Sequence, residues 1–273
     1  MRTKNYCATQ DISLAQQAVG VTSKYWNVGQ TINIAFIEGT QDQQDFVKKT
    51  AKLWLDHANL DFNYTHDLLE SDIRIAFMEG RGSWSYIGKD NLHIKKDEPT
   101  MNFGWLDQAV VLHEFGHMLG LGHEHQNPNK PIEWDIDALV ADLSQPPNNW
   151  TREQIQFNII NRYDPNSVDA TALDSESIMM YQIPSRWTKN NFSAGFNEEL
   201  SETDVMFISA IYPETINIPD KELLTHVFQT RKELKKLKEI TVVRIGALFG
   251  LPTNQKLRKR HNVDIVARHL NLK

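Results

Sequence analysis

Cysteine is almost absent from this 273-residue chain; Cys7 is the one thiol. A single thiol closes no internal disulfide, so a disulfide-stapled scaffold is excluded. No apolar run approaches the roughly 18 residues of a membrane-spanning helix. Residues 1–20, MRTKNYCATQDISLAQQAVG, carry basic groups but not the apolar stretch of roughly 7–15 residues that marks a secretory signal. The expectation is therefore cytoplasmic residence, with leaderless export left open. A basic excess is missing too: 29 Lys+Arg stand against 35 Asp+Glu, a net of −6. That balance argues against nonspecific nucleic-acid binding. Gly (13) and Pro (10) are too few for a collagenous or low-complexity chain, and 40% hydrophobic with 23% charged residues is a globular composition. A chain of this length buries roughly 75% of its unfolded surface and needs no covalent staple.

The charge is unevenly spread. Residues 1–213 hold 16 basic and 29 acidic side chains, whereas residues 214–273 hold 13 and 6. The sign reversal after Tyr212-Pro213 marks a boundary. Three parts are expected: an arm over 1–25, a main domain over 26–213 and a basic helical appendage over 214–273.

TINIAFIEG (31–39) alternates and is β-branched, which predicts a strand, as do DFNYTH (61–66), DIRIAFM (72–78) and NLHIKK (91–96). Residues 80–90, GRGSWSYIGKD, are expected to be a loop. Residues 44–60 predict an amphipathic helix with Phe46, Ala51, Leu53, Trp54 and Ala58 on its apolar face. A second helix is expected to start at Asp107, a candidate N-cap, and to stop at Gly120 and Gly122. Short helical pieces are expected near 136–143 and 151–161. Ser201 and Asp204 make an S-x-x-D capping pattern ahead of Val205, Phe207, Ile208 and Ile211.

The chemistry-bearing residues are His113, Glu114, His117, Gly120 and His123. On a helix, His113 and His117 differ by roughly 40° around the axis and about 6 Å along it, so their imidazoles converge on one small cation. A straight helix would carry residue 123 away. Gly120 can take a left-handed conformation without Cβ strain and turn the chain so that His123 returns as a third ligand. Three neutral imidazoles with no thiolate leave a fourth position for water, the layout of a catalytic rather than a structural zinc site. Glu114, beside His113, would serve as general base toward that water and then pass the proton to a leaving amine.

HEFGHMLGLGH (113–123) resembles the zinc signature of the metzincin metallopeptidases, and Glu124, in HEH, makes it look astacin-like. SIMMY (177–181) is similar to the Met-turn of that family. The resemblance implies an apolar floor at Met179 and, at Tyr181, a hydroxyl that is an extra zinc ligand and then a transition-state donor. Ordinary core packing is the other reading of both residues. LSETDVMFISAIYP (200–213) is similar to the last catalytic-domain helix of matrixins, and the resemblance covers roughly 25–213. It implies an α+β fold: a twisted, mostly parallel sheet with an antiparallel edge strand, placed near 91–96, two long helices, an irregular lower subdomain carrying the Met-turn, and a small C-terminal helical segment. The activity it implies is zinc-dependent hydrolysis of peptide bonds in extended protein or peptide substrates, with one catalytic Zn2+. The paired cysteines of secreted astacins are missing.

Other residues stay open. Cys7 is a candidate latency ligand for the zinc, or a bystander. His125 is a spare imidazole beside the site or at the surface, and Glu124 is expected to make a salt bridge or hydrogen bond rather than touch metal. Trp84 and Tyr86 line subsites or fill core. The basic tail faces solvent, docks on the acidic part of the chain or meets a protein partner; nucleic acid and an anionic membrane are disfavoured, since no aromatic residues interleave its basic runs. Alternatives for the whole chain are a catalytically inactive zinc-containing module that captures peptides and an interaction protein acting through 214–273.

Overall fold

Alternation in TINIAF places Ile32 and Ile34 at 0% exposure while Thr31 faces water, and the segment forms β1 (Thr31–Phe36). A computed structural model describes residue 20 and residues 22–129, 132–166 and 168–213. Cys7 and the basic segment 214–273 lie outside the described residues. β1 sits between β2 (Asp61–Thr65) and β3 (Ile73–Ala76), parallel to both. β5 (Met101–Asn102) runs parallel to β3, and β4 (Trp84–Ser85) closes the sheet antiparallel to β5. The order is β2-β1-β3-β5-β4.

The antiparallel edge is therefore Trp84–Ser85, inside the stretch expected to be loop, and not 91–96. Residues Gly88–His93 form a 3₁₀ turn instead. Asn91 explains the turn: its amide donates to the carbonyls of Tyr86 (3.0 Å) and Gly88 (2.7 Å), drawing the backbone into a local closure that competes with a strand. Arg74 then takes carbonyls that a strand would have used. Its guanidinium, buried in β3, donates to Glu98, Ser71 and Ile94.

Helix α1 (Gln41–Leu55) opens on a capping box between Thr40 and Gln43. Its buried stripe is Val47, Thr50, Ala51 and Trp54. Phe46 and Leu53, expected inside, are 38% and 40% exposed, because the i, i+4, i+7 row that enters the core starts one residue later. Helix α2 (Gln108–Met118) begins at Asp107, which accepts from Val110 N at 2.8 Å. It is buried from Ala109 to Met118, and Trp54 Nε1 donates to Leu112 O at 3.0 Å to fasten it to α1. Helix α3 (Ile136–Leu143), helix α4 (Arg152–Ile155) and the wide π turn Gln156–Ile160 that continues it build the irregular lower half. Helix α5 (Glu202–Ile211) returns to the sheet side, opened by the Ser201–Asp204 capping box.

Two large apolar cores stand out among the described residues, beside a small cluster of Ile87, Tyr163, Val168 and Ala170. The upper contains the sheet, α1, α2, Ile178 and Met179. The lower contains Trp134, Leu139, Ile155, Met180, Tyr181 and Trp187, among others. The segment 178–181 thus crosses from one core to the other.

Candidate active site

The helix end delivers the third histidine. Gly120 has φ 98°, the left-handed region where a Cβ is strained. Its N–H donates to His117 O (2.8 Å), and Leu121 N donates to Gly116 O (2.9 Å), so the last turn closes on itself. A Cβ at Gly120 would also lie 2.8 Å from Tyr25 Cδ1. The terminal carbonyls of α2 are taken from outside: Trp26 Nε1 donates to Met118 O (2.8 Å) and Tyr212 Oη to Leu119 O (2.7 Å).

The chain beyond this turn brings His123 back to His113 and His117. One ligand atom from each of the three lies within 4.8 Å of the others, and all three residues are buried. His113 Nδ1 donates to Ile178 O and His117 Nδ1 to Leu121 O, both at 2.8 Å. A carbonyl can only accept, so both rings carry their proton on Nδ1 and present an Nε2 lone pair. Nε2 of His113 is buried and has no hydrogen-bond partner among the described residues. Nε2 of His117 lies 3.1 Å from Nε2 of His123. Zinc–nitrogen bonds of about 2.0–2.1 Å in a tetrahedron put ligand nitrogens about 3.3 Å apart, so His117 and His123 stand near ligand spacing and the cluster of three could hold that ion. Burial holds the imidazoles neutral: His113 is pushed down to about 4, and His117 and His123 fall well below the ordinary value, further lowered by their neighbouring imidazoles. Neutral imidazole is the form that binds metal.

The other residues singled out from the sequence gather here. Glu114 is fully buried on α2 beside His113. The Tyr181 ring stands 4.4 Å from the His123 ring and 6.1 Å from that of His113, centre to centre. Met179 is 2% exposed, with its sulfur against Gly116, between two of the histidines on α2. His125 is buried; its Nε2 donates to Asn158 O at 2.8 Å and its ring lies 4.4 Å from Tyr181, so its place is beside the site and not at the surface. Glu124 accepts from Asn127 Nδ2 and Asp174 N, both at 2.9 Å. Burial pushes its carboxyl up to about 8, against the lowering effect of those bonds. Trp84 and Tyr86 are half-buried at the antiparallel edge, in edge-to-face contact at 5.9 Å.

Three supports escaped the sequence reading. Tyr163 Oη accepts from His123 N at 2.9 Å. The π turn offers Phe157 O to Gln126 Nε2 (2.9 Å) as well as Asn158 O to His125. Asp204 reaches back to 177 and 178. Only the last had a local signal, and that signal spoke of a helix cap.

A mostly parallel α+β domain with three histidines gathered at the end of one helix defines a metallopeptidase-type catalytic unit. The family model of the astacin peptidases matches residues 19–213. The chain belongs to the astacin family. Meprin A subunit beta of Mus musculus is 28% identical over 150 residues, 55% of this chain and 19% of that protein. Zinc metalloproteinase dpy-31 of Caenorhabditis elegans is 22% identical over 204 residues, 71% of this chain and 33% of that protein. The chain thus spans a third or less of the length of these curated relatives. Among solved structures, one of myroilysin is 38% identical at TM-score 0.68, over 72% of this chain and 99% of that one. High choriolytic enzyme 1, a hatching-enzyme zinc protease of Oryzias latipes, shares the fold at TM-score 0.52 with 16% identity, over 70% and 95% of the two chains.

Proposed function

We propose that the chain is a zinc-dependent endopeptidase that cleaves peptide bonds in extended protein or peptide substrates, its catalytic domain spanning 26–213. The observation that carries this reading is the set of three buried imidazoles, two with their protons fixed on Nδ1 by backbone carbonyls. Zinc held by His113, His117 and His123 would lower the pKa of a water toward about 7 and polarise the scissile carbonyl.

The chain's own groups do the rest. The Glu114 carboxylate takes a proton from the attacking water and returns it to the leaving amine. The Tyr181 hydroxyl donates to the carbonyl oxygen as negative charge develops there. Met179 fills the space against Gly116, keeping the helix turn between two ligands at a fixed distance from the segment beneath it. The short antiparallel strand β4 offers an edge on which an extended peptide aligns by main-chain hydrogen bonds. Burial of the imidazoles and Glu114 limits competition from bulk water.

Incubation of the full chain with an unstructured protein, with and without a chelator, tests the assignment. Chelator-sensitive internal cleavage, restored by Zn2+, is the expected result. Zinc binding without cleavage would leave a peptide-capturing module.

A further inference from the structure

Asp204 sits in the first turn of α5, far along the sequence from every histidine of the site. Its capping-box duty needs only the bonds to Ser201: Ser201 Oγ accepts from Asp204 N (3.0 Å), and Asp204 Oδ2 accepts from Ser201 N (3.0 Å). The carboxylate does more. Oδ1 accepts from Ser177 Oγ at 2.7 Å, and Oδ2 accepts from Ile178 N at 2.7 Å. Ser177 Oγ in turn accepts from Met179 N at 3.0 Å. The residue held at its N–H by Asp204 is thus Ile178, whose carbonyl accepts from His113 Nδ1 at 2.8 Å.

We infer that Asp204 is a positioning residue for the metal site, holding the Ile178 backbone so that its carbonyl fixes the proton and the ring orientation of His113. The carboxylate is 5% exposed and gathers three donors. Charge-assisted bonds of this kind are about twice as strong as neutral ones. A capping residue alone has no need to reach residues 177 and 178. Partners one step removed from a metal ligand set its tautomer and aim, and losing one typically costs about 10–100-fold in metal affinity. The inference rests on the histidine cluster being a zinc site.

Asp204→Asn separates positioning from capping. The amide keeps one acceptor but turns an NH2 toward the donors that the second oxygen served. The control is Ser201→Ala, which removes the hydroxyl cap of α5 and its 2.7 Å bond to Asp174 Oδ2 but leaves the Asp204 carboxylate free to hold Ile178 N. Zn2+ affinity of the full chain is measured by competition with a chromophoric chelator, and exchange of the Ile178 amide is followed by NMR in the metal-free protein. D204N should weaken Zn2+ binding about 10-fold or more and speed Ile178 exchange. S201A should lower the melting temperature with near wild-type affinity. Equal zinc affinities for wild type and D204N, or an equal loss in S201A, would overturn the inference. A wild-type chain that binds no Zn2+ would instead refute the metal reading of the site. Should D204N fail to fold, Asp204→Glu decides instead, since the longer side chain keeps the charge but carries both oxygens off the Ser177 and Ile178 donors. A several-fold loss of affinity supports the inference, and unchanged affinity ends it.

Discussion

Gly116 stands between His113 and His117 on α2, where a helix would ordinarily gain from alanine. Replacing glycine by alanine in a helix interior stabilises by about 0.5–1 kcal/mol through backbone entropy. Here the added Cβ would lie closer than 3.0 Å to Met179 Sδ, with Met179 Cε at 3.3 Å and Trp54 Cζ2 at 3.4 Å. Met179 is flexible, but at 2% exposure it does not swing out into solvent without disturbing its neighbours. Overpacking of this kind costs about 1–3 kcal/mol, so Gly116→Ala should destabilise by about 1 kcal/mol net. Urea unfolding of the metal-free chain would report it as a lower midpoint at unchanged slope. In a Met179→Ala background, itself about 2–5 kcal/mol less stable, the same Gly116→Ala change should stabilise by about 0.5–1 kcal/mol. The sign reversal is a coupling of about 1.5–2 kcal/mol, within the range of residues in direct contact. If Gly116→Ala stabilises equally in both backgrounds, Met179 is not held against α2 and its role as the floor of the site fails.

Glu114→Gln should retain zinc and lose at least about 10³ in turnover, because proton transfer and water activation suffer together; near wild-type kcat would remove Glu114 from the mechanism. Tyr181→Phe should lower kcat by about 10²–10³ with little change in KM, the signature of a donor that acts in the transition state; a pure rise in KM would make it a substrate-binding group instead. Stripping the metal with a chelator should abolish peptide cleavage and lower thermal stability. At free zinc about 1,000 times Kd the bound ion contributes about 4.1 kcal/mol, or roughly 8–16 °C for a domain of this size. Calorimetry with and without chelator checks this, and an unchanged Tm would mean the native chain does not hold the ion.

The spacing of His113, His117 and His123 was legible because helix geometry and one left-handed glycine suffice to bring them together. The caps at Asp107 and Ser201 were legible for the same reason, since each depends on residues within one turn. The parallel strands at 31–36, 61–65 and 73–76 followed from β-branched alternation. What escaped depends on partners distant in sequence. NLHIKK alternates like a strand, yet Asn91 and the buried Arg74 claim the carbonyls around it. The face of α1 shifted by one position because both Phe46 and Val47 are apolar and only packing in the core decides between them. Nothing near Tyr163 announces that its hydroxyl receives the His123 amide, 40 residues away.

Trp26 and Tyr212, 186 residues apart, meet over the last carbonyls of α2, with Trp26 N donating to Tyr212 Oη at 3.2 Å. The clasp has a temporal meaning. During synthesis the helix carrying two histidines emerges well before residue 212, and until then its final turn lacks half of the grip that shapes the return of His123. The clasp over the histidine helix is complete only when the domain is nearly whole, and a truncated product ending ahead of Tyr212 should carry all three histidines yet lack the seal that sets them.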